Sequence, residues 1–322
     1  MPVEAPALLH ELSETWRSFG HEESSGLLRA CAMTLIVAAA ESDDPQELGS
    51  ILSSLMRLHP SRTIVLRACP KREEIDARTS VQCWMPFGRH QQICGEWIEI
   101  SAGAAQLAEV VPLLLGLTVP DLPVVLWMRH TALAFADSLR PVLPLATRVI
   151  VDTSEAPDAG PALAAVQSLA HGPWRLADLA WGRVTRWRKA LAGMLAASPA
   201  PWRAPRSGRL QWAGEKMSMP ACYLAAWLRA CFPGLALELS SCDPVLPPAH
   251  VGRIRGVQLT APGLDIRLER PAGGSTVTVS TNGLESGLVF PHLDESAMLA
   301  EELGIAARDR VFESALALAR AV

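Results

Sequence analysis

The chain has 322 residues, a formal net charge of -4 and a calculated isoelectric point near 6.1. That length, near twice the common domain size, points to two modest domains, and the weakly acidic balance excludes binding of nucleic acid through a broad basic face. The longest apolar runs, Met33 to Ala40 and Val110 to Val119, are too short to span a bilayer, and the segment around Glu4 lacks the basic-apolar-small pattern of a secretory signal, so a cytoplasmic protein is expected.

Residues 1–24 read as an N-terminal extension, followed by an α/β domain over 25–197. Its order is a strand from Met33 to Ala40, a helix from Asp44 to Leu58 opened by an acidic cap and a proline, and a strand from Thr63 to Ala68. A hairpin is expected over 79–86 and 93–100. Then come a helix from Ala104 to Leu117, a buried strand from Pro123 to Trp127, a helix from Ala132 to Leu139, a strand from Val149 to Val151 and a helix over 161–170. The alternation predicts a mixed sheet covered by helices. A tryptophan- and arginine-rich helix starting near Asp178 closes this domain at about Ala197. The proline-rich stretch 198–206 reads as the linker. The remainder, 207–322, reads as an α+β domain: a strand around Leu210, a helix from Pro220 to Cys231, a strand from Leu235 to Leu239, an antiparallel meander over 252–260, 263–270 and 275–280, and two closing helices, Glu295 to Leu303 and Asp309 to Ala321.

Chemistry-bearing motifs are sparse. Lysine occurs only at 71, 189 and 216, which disfavours Schiff-base and P-loop mechanisms, and the signatures G-x-S-x-G, H-E-x-x-H and G-x-G-x-x-G after a strand do not occur. The seven cysteines are widely spaced, odd in number and free of C-x-x-C, the pattern of unpaired thiols in a reducing compartment rather than a disulfide framework. Cys83, His90 and Cys94 come nearest to a metal set, but their spacing is irregular for zinc, and neither metal nor cofactor is expected.

In an open α/β sheet, ligands bind beyond the carboxyl ends of the strands. Arg129 and His130 follow the strand ending at Trp127, and Asp152 and Thr153 follow the one ending at Val151. With Arg62 of His59-Pro60-Ser61-Arg62 as an anion binder, these residues outline a candidate crevice. It would suit a sugar phosphate, or a small-molecule enzyme with His130 as base and Asp152 orienting it. The plainer account is that polar residues end buried strands and shape turns, with Pro60 terminating the preceding helix. Ser101-Ala102-Gly103-Ala104, between a strand and a helix, could likewise present amides to a phosphate or be an ordinary turn.

The densest feature is Asp178-Leu-Ala-Trp-Gly-Arg-Val-Thr-Arg-Trp-Arg188. Ala177, Ala180, Val184, Trp187 and Leu191 fall on one helical stripe, which assigns Trp187 to a core; tryptophan and arginine beside it are the side chains that most often carry binding energy at protein surfaces. The segment resembles the D-L-x-W-x-R-hydrophobic-T-x-W-R signature of the glucose-6-phosphate dehydrogenase assembly protein family, OpcA. Further blocks agree in the same order: His59 to Leu66; Pro120-Asp121-Leu122-Pro123-Val124-Val125-Leu126-Trp127, with Met128 where the family has a second tryptophan; Glu301-Glu302-Leu303; and Asp309-Arg310-Val311-Phe312-Glu313.

The resemblance implies a non-enzymatic assembly factor and allosteric activator of glucose-6-phosphate dehydrogenase, the NADP-dependent first enzyme of the oxidative pentose phosphate pathway. Asp178, Trp181, Arg183, Arg186, Trp187 and Arg188 are then the expected partner-binding set, Trp187 fixing the helix while Trp181 and the arginines face a partner or an interdomain groove. The alternative reading is a sugar-phosphate sensor or an enzyme using the crevice near His130 and Asp152.

Overall fold

The computed structural model describes residues 3–22, 28–69, 71–85, 93–103, 105–197, 204–242, 252–272 and 274–320. The chain divides into two α/β units that interleave along the sequence. One comprises Met1–Asp152, Gly172–Ala177 and Glu295–Gly304, and the other Thr153–His171, Asp178–Asp294 and Ile305–Val322. The stretch at 198–206 is therefore not a boundary: both Ala197 and Ala204 belong to the second unit. Residues 198–203 lie outside the described residues, and Arg206 is already laddered, its amide donating to Thr260 and its carbonyl accepting from Ala236. A proline-rich stretch breaks secondary structure without having to separate domains.

The first unit holds α1 (Ala5–Glu22), β1 (Leu28–Arg29), β2 (Met33–Ala40), α2 (Pro45–Leu58), β3 (Ser61–Ala68), β4 (Asp76–Trp84), β5 (Ile93–Ala102), α3 (Leu107–Leu117), β6 (Val124–Met128), α4 (Thr131–Ala134) and β7 (Arg148–Val151). Its sheet runs β1-β5-β3-β2-β6-β7-β8, with β8 being Arg175–Asp178 and β4 pairing antiparallel with β5. From β5 to β8 this is the 3-2-1-4-5-6 order of a doubly wound domain, and the order reverses between β2 and β6. Continuous apolar runs such as Leu35 to Val37, Ile64 to Leu66 and Val124 to Met128 are buried, as strands covered on both faces require. In α2, Asp44 caps the first turn by accepting from Gln46, and Leu48, Leu52, Leu55 and Met56 make the buried stripe.

Two local expectations need correction here, and one region gains an element. The N-terminal extension contains a helix, α1, whose Trp16 donates to Glu96 of β5 at 2.9 Å. The helix expected at 132–139 is a four-residue α4 followed by a 3-10 helix, Asp137–Leu145, because Pro141 and Pro144 lack the amides an α-helix needs. Cys83 and Cys94, expected to be unpaired, form a disulfide: the hairpin register sets them directly opposite, with Cα atoms 4.1 Å apart.

The second unit holds α5 (Ala159–Leu169), α6 (Leu179–Gly182), α7 (Thr185–Ala197), β9 (Ser207–Ala213), α8 (Met219–Cys231), β10 (Ala236–Cys242), β11 (Ile254–Ala261), β12 (Leu264–Glu269), β13 (Thr276–Thr281) and β14 (Leu284–Val289). Its sheet order is β10-β9-β11-β12-β13-β14, parallel between β9 and β10 and antiparallel thereafter. The meander thus has one strand more than the sequence reading, β14, joined to β13 through Asn282-Gly283. Both residues have positive φ, 51° and 85°, as a tight hairpin turn demands. Leu210, Val257, Leu259, Ile266, Leu268 and Val277 fill one face of the sheet. The closing helices part company: α9 (Glu295–Leu303) belongs to the first unit, and α10 (Arg310–Leu318) packs on α8 in the second.

Candidate functional site

In the first unit, the carboxyl ends of β2 and β6 at the reversal point gather Asp43, Glu47, Arg129 and His130. Arg129 is buried, and its guanidinium meets Glu295 at 3.1 Å, Glu47 at 3.2 Å and Asp43 at 3.4 Å. Burial opposes that charge, but Glu295, Asp43 and Glu47 outweigh it and hold the guanidinium above its ordinary range. For Glu295 the balance is opposite: burial pushes its carboxyl above the usual range despite Arg129. His130 Nε2 lies 2.5 Å from Asp43 Oδ1, and Thr131 donates to the Asp152 carbonyl at 2.9 Å.

Glu295 opens α9, whose far end is held by contact of Glu302 with Arg148 at the start of β7, and its Ala300 carbonyl lies 3.1 Å from His59 Nε2. Seven helical residues rise about 10.5 Å, close to the length of a four-residue strand, so one helix anchors at both ends of the neighbouring strands.

This geometry corrects the proposed crevice. Arg62 is not part of it: in β3 it registers with Thr34 near the amino end of β2, whereas Arg129 follows the carboxyl end of β6. Its guanidinium is buried on Glu96 at 2.5 Å and on the Leu117 carbonyl at 2.7 Å. Thr153 lies in the second unit, bound to Asp178. An anion approaching Arg129 would have to displace three carboxylates.

A dinucleotide, which the strand order invites, does not fit either. Its pyrophosphate would sit at the amino end of α2, where amides and close backbone approach are needed. That turn reads Glu41-Ser42-Asp43-Asp44-Pro45: Asp43 accepts from Ala40, Asp44 from Gln46, and Pro45 has no amide. The turn at Ser101-Ala102-Gly103 is also closed, since a Cβ on Gly103 would meet the Arg72 carbonyl at 2.1 Å; Ala104 lies outside the described residues. So does His90 of the Cys83, His90, Cys94 set. Among the described residues no group of three or more metal-binding side chains converges, and no helix is long and apolar enough to cross a membrane.

In the second unit the 178–188 segment is not one helix. Asp178 ends β8 and caps α6, and the backbone re-forms as α7 from Thr185. Asp178 Oδ1 accepts from the amides of Ala180 and Thr153, and Oδ2 from the hydroxyls of Thr153 and Tyr223. Burial, and then the charge of Asp178, keep the Tyr223 phenol well above its ordinary range. Trp181 is only 3% exposed; its indole donates to Asp309 at 2.8 Å, and its ring packs on Tyr223 and Phe312.

Arg188 stacks on the Trp181 ring, 3.6 Å from its centre, and donates to Thr185. Burial pushes its pKa down to about 10 against the pull of Asp309. Trp187, 2% exposed, packs edge-on against Phe290. Asp178, Trp181, Trp187 and Arg188 therefore hold this unit together. The expected contact role for the Trp181 ring gives way to an internal one, because Asp309 satisfies its N–H inside. Arg183 and Arg186 are half-buried and keep an outward share. Tyr223 and Asp309 were not singled out in the sequence; Asp309 in a block resembling the family was the available signal.

The fold and site define a two-unit α/β protein whose strand-end crevice is closed by its own ion pairs. Residues 52–168 match the family model described as the glucose-6-phosphate dehydrogenase subunit N-terminal domain, and residues 175–316 its C-terminal counterpart, so the chain belongs to this OpcA family. A protein of Synechocystis sp. PCC 6803, provisionally named OxPP cycle protein OpcA, is 27% identical over 152 residues, 45% of this chain and 31% of that relative, so the match spans under a third of the relative's length. Weaker likenesses in overall chain course occur in solved structures. The 3-ketoreductase KijD10 of Actinomadura kijaniata has a TM-score of 0.47 at 12% identity over 88% of this chain and 94% of that one. A dehydrogenase of Chromobacterium violaceum has a TM-score of 0.48 at 13% identity over 91% and 92%.

Proposed function

We propose that this protein is a cytoplasmic, non-catalytic partner of glucose-6-phosphate dehydrogenase that favours the assembled, active form of that enzyme. The observation that carries the reading is the family match across both halves of the chain, residues 52–168 and 175–316. The closed state of the strand-end crevice supports it, since Arg129 already has three carboxylate partners. The physical role is linkage: a protein that binds the active state better than the inactive one shifts the population toward it. A tenfold shift needs a difference of only about 1.4 kcal/mol. Within the signature segment, Asp178, Trp181, Trp187 and Arg188 form the frame, and Arg183 and Arg186 are the residues that reach the partner.

The test is to mix the protein with the dehydrogenase of the same organism and follow rate against glucose 6-phosphate alongside co-elution. A lowered half-saturation point or raised rate, together with a complex, is expected. Arg186→Glu should weaken both while leaving the melting temperature unchanged. Absence of both complex and kinetic change, with both proteins folded, would sink the reading.

A further inference from the structure

Strand β14 is the last of its sheet: it pairs with β13, and no strand lies beyond it among the described residues. All six of its residues are exposed. Across the ladder, Leu284 stands opposite Thr281, Ser286 opposite Val279 and Leu288 opposite Val277. Val277 is 0% and Val279 6% exposed, so the alternate residues Leu284 and Leu288 carry the apolar face of the sheet out to its edge. There it is left uncovered, with Leu284 81% and Leu288 38% exposed, and Val289, on the opposite face, 66% exposed.

The ladder also fixes which backbone groups face outward. The Phe290 amide donates to the Ser275 carbonyl at 2.7 Å, in the same register as the β13–β14 pair. Antiparallel strands turn alternate residues toward and away from a given neighbour, so Leu284, Ser286 and Leu288 bond β13 while the amides and carbonyls of Glu285, Gly287 and Val289 point outward. Those outward groups have no backbone partner among the described residues. Proteins ordinarily guard such an edge with lysine, proline, a bulge or a covering element. The antiparallel edge of the first unit, β4, carries Asp76 and Arg78 and has helix α1 against it. By contrast β14, Leu284-Glu-Ser-Gly-Leu-Val289, has no basic residue and no proline, and its register with β13 is unbroken.

We propose that β14 is a docking strand for a second copy of this chain, the two strands pairing antiparallel about a two-fold axis at Ser286. The sequence of the strand fits itself. With the axis there, Leu284 stands opposite Leu288 of the second copy, twice over, and apolar side chains cover the apolar edge on both sides. The outward groups of Glu285 meet those of Gly287 of the second copy, so the backbones bond. Glu285, the single charge of the strand, thus faces a glycine. Other registers fit less well. An axis at Glu285 sets carboxylate against carboxylate, an axis at Gly287 leaves Leu288 facing a serine, and an axis between residues sets outward groups against groups already bonded to β13. This self-association does not depend on the dehydrogenase partnership.

The test is sedimentation velocity of the full chain over a range of concentrations, with cross-linking of cysteine variants. A concentration-dependent dimer is expected. Gly287→Pro, which removes an outward amide and spares the bonds to β13, should weaken it at least tenfold. Leu284→Lys should do the same, and because that side chain is 81% exposed its variant remains informative if Gly287→Pro fails to fold. Under mild oxidation with diamide, Ser286→Cys should form an intermolecular disulfide well above the parent's background, since opposed residues outside the hydrogen-bonded pairs bring their Cα atoms to about 4.5 Å. Leu284→Cys should not. A monomer at every concentration, a dimer unchanged in both folded variants, or cross-linking at 284 equal to that at 286 would overturn the proposal. A monomeric parent whose Leu284→Lys variant loses dehydrogenase binding would overturn it in favour of a strand of that enzyme.

Discussion

Asp178 shows how much one side chain can hold in place. Its two oxygens take hydrogen bonds from two amides and two hydroxyls, linking the end of β8, the cap of α6, Thr153 and Tyr223 of α8. Asp178→Ala leaves those donors buried without acceptors, and each unsatisfied group costs about 1–3 kcal/mol. We expect denaturant unfolding to show a loss of about 3 to 5 kcal/mol, well above the effect of an ordinary cap; a loss under about 1 kcal/mol would contradict the hub. Trp187 and Trp127 were legible as core from their place on apolar stripes and are 2% and 0% exposed. Trp181 was not, because the acceptor for its N–H is Asp309, 128 residues further along the chain.

At the scale of elements, the β4–β5 hairpin followed from alternation, and so did the presence of cysteines in both strands. Their pairing did not, because it depends on which residues face each other across the ladder. That register puts Cys83 opposite Cys94. Alkylation of the denatured, unreduced protein should modify five cysteines, and all seven only after reduction; mass spectrometry showing seven without reduction would exclude the bridge. Helix α9 gives the complementary case. Its limits, Glu295 to Leu303, were read from the sequence, yet its placement against α2 and between Arg129 and Arg148 was invisible, since charges at helix ends do not name their partners.

For the whole molecule, a doubly wound sheet is the usual frame for a dinucleotide, and here the turn that would receive its phosphates carries Asp43, Asp44 and Glu47. Negative groups at that position repel the ligand that helix amides would otherwise attract. We therefore expect no rise in melting temperature with NADP or NAD, measured by calorimetry; a saturable rise would show that the turn rearranges.

The sequence by itself determined the α/β character, the order of most strands and helices, the core tryptophans and, through ordered motif blocks, the family. These are local or collinear properties, set by periodicity, caps and turn residues a few positions apart. Only the tertiary structure decided that the two units interleave along the sequence, that Arg62 sits at the opposite end of the sheet from Arg129, that carboxylates close the crevice, and that Arg270 lies over the rings of Trp187 and Phe290. Each of these rests on contacts between residues distant in the chain, and a charged or aromatic side chain carries no record of its partner until folding brings the two within reach.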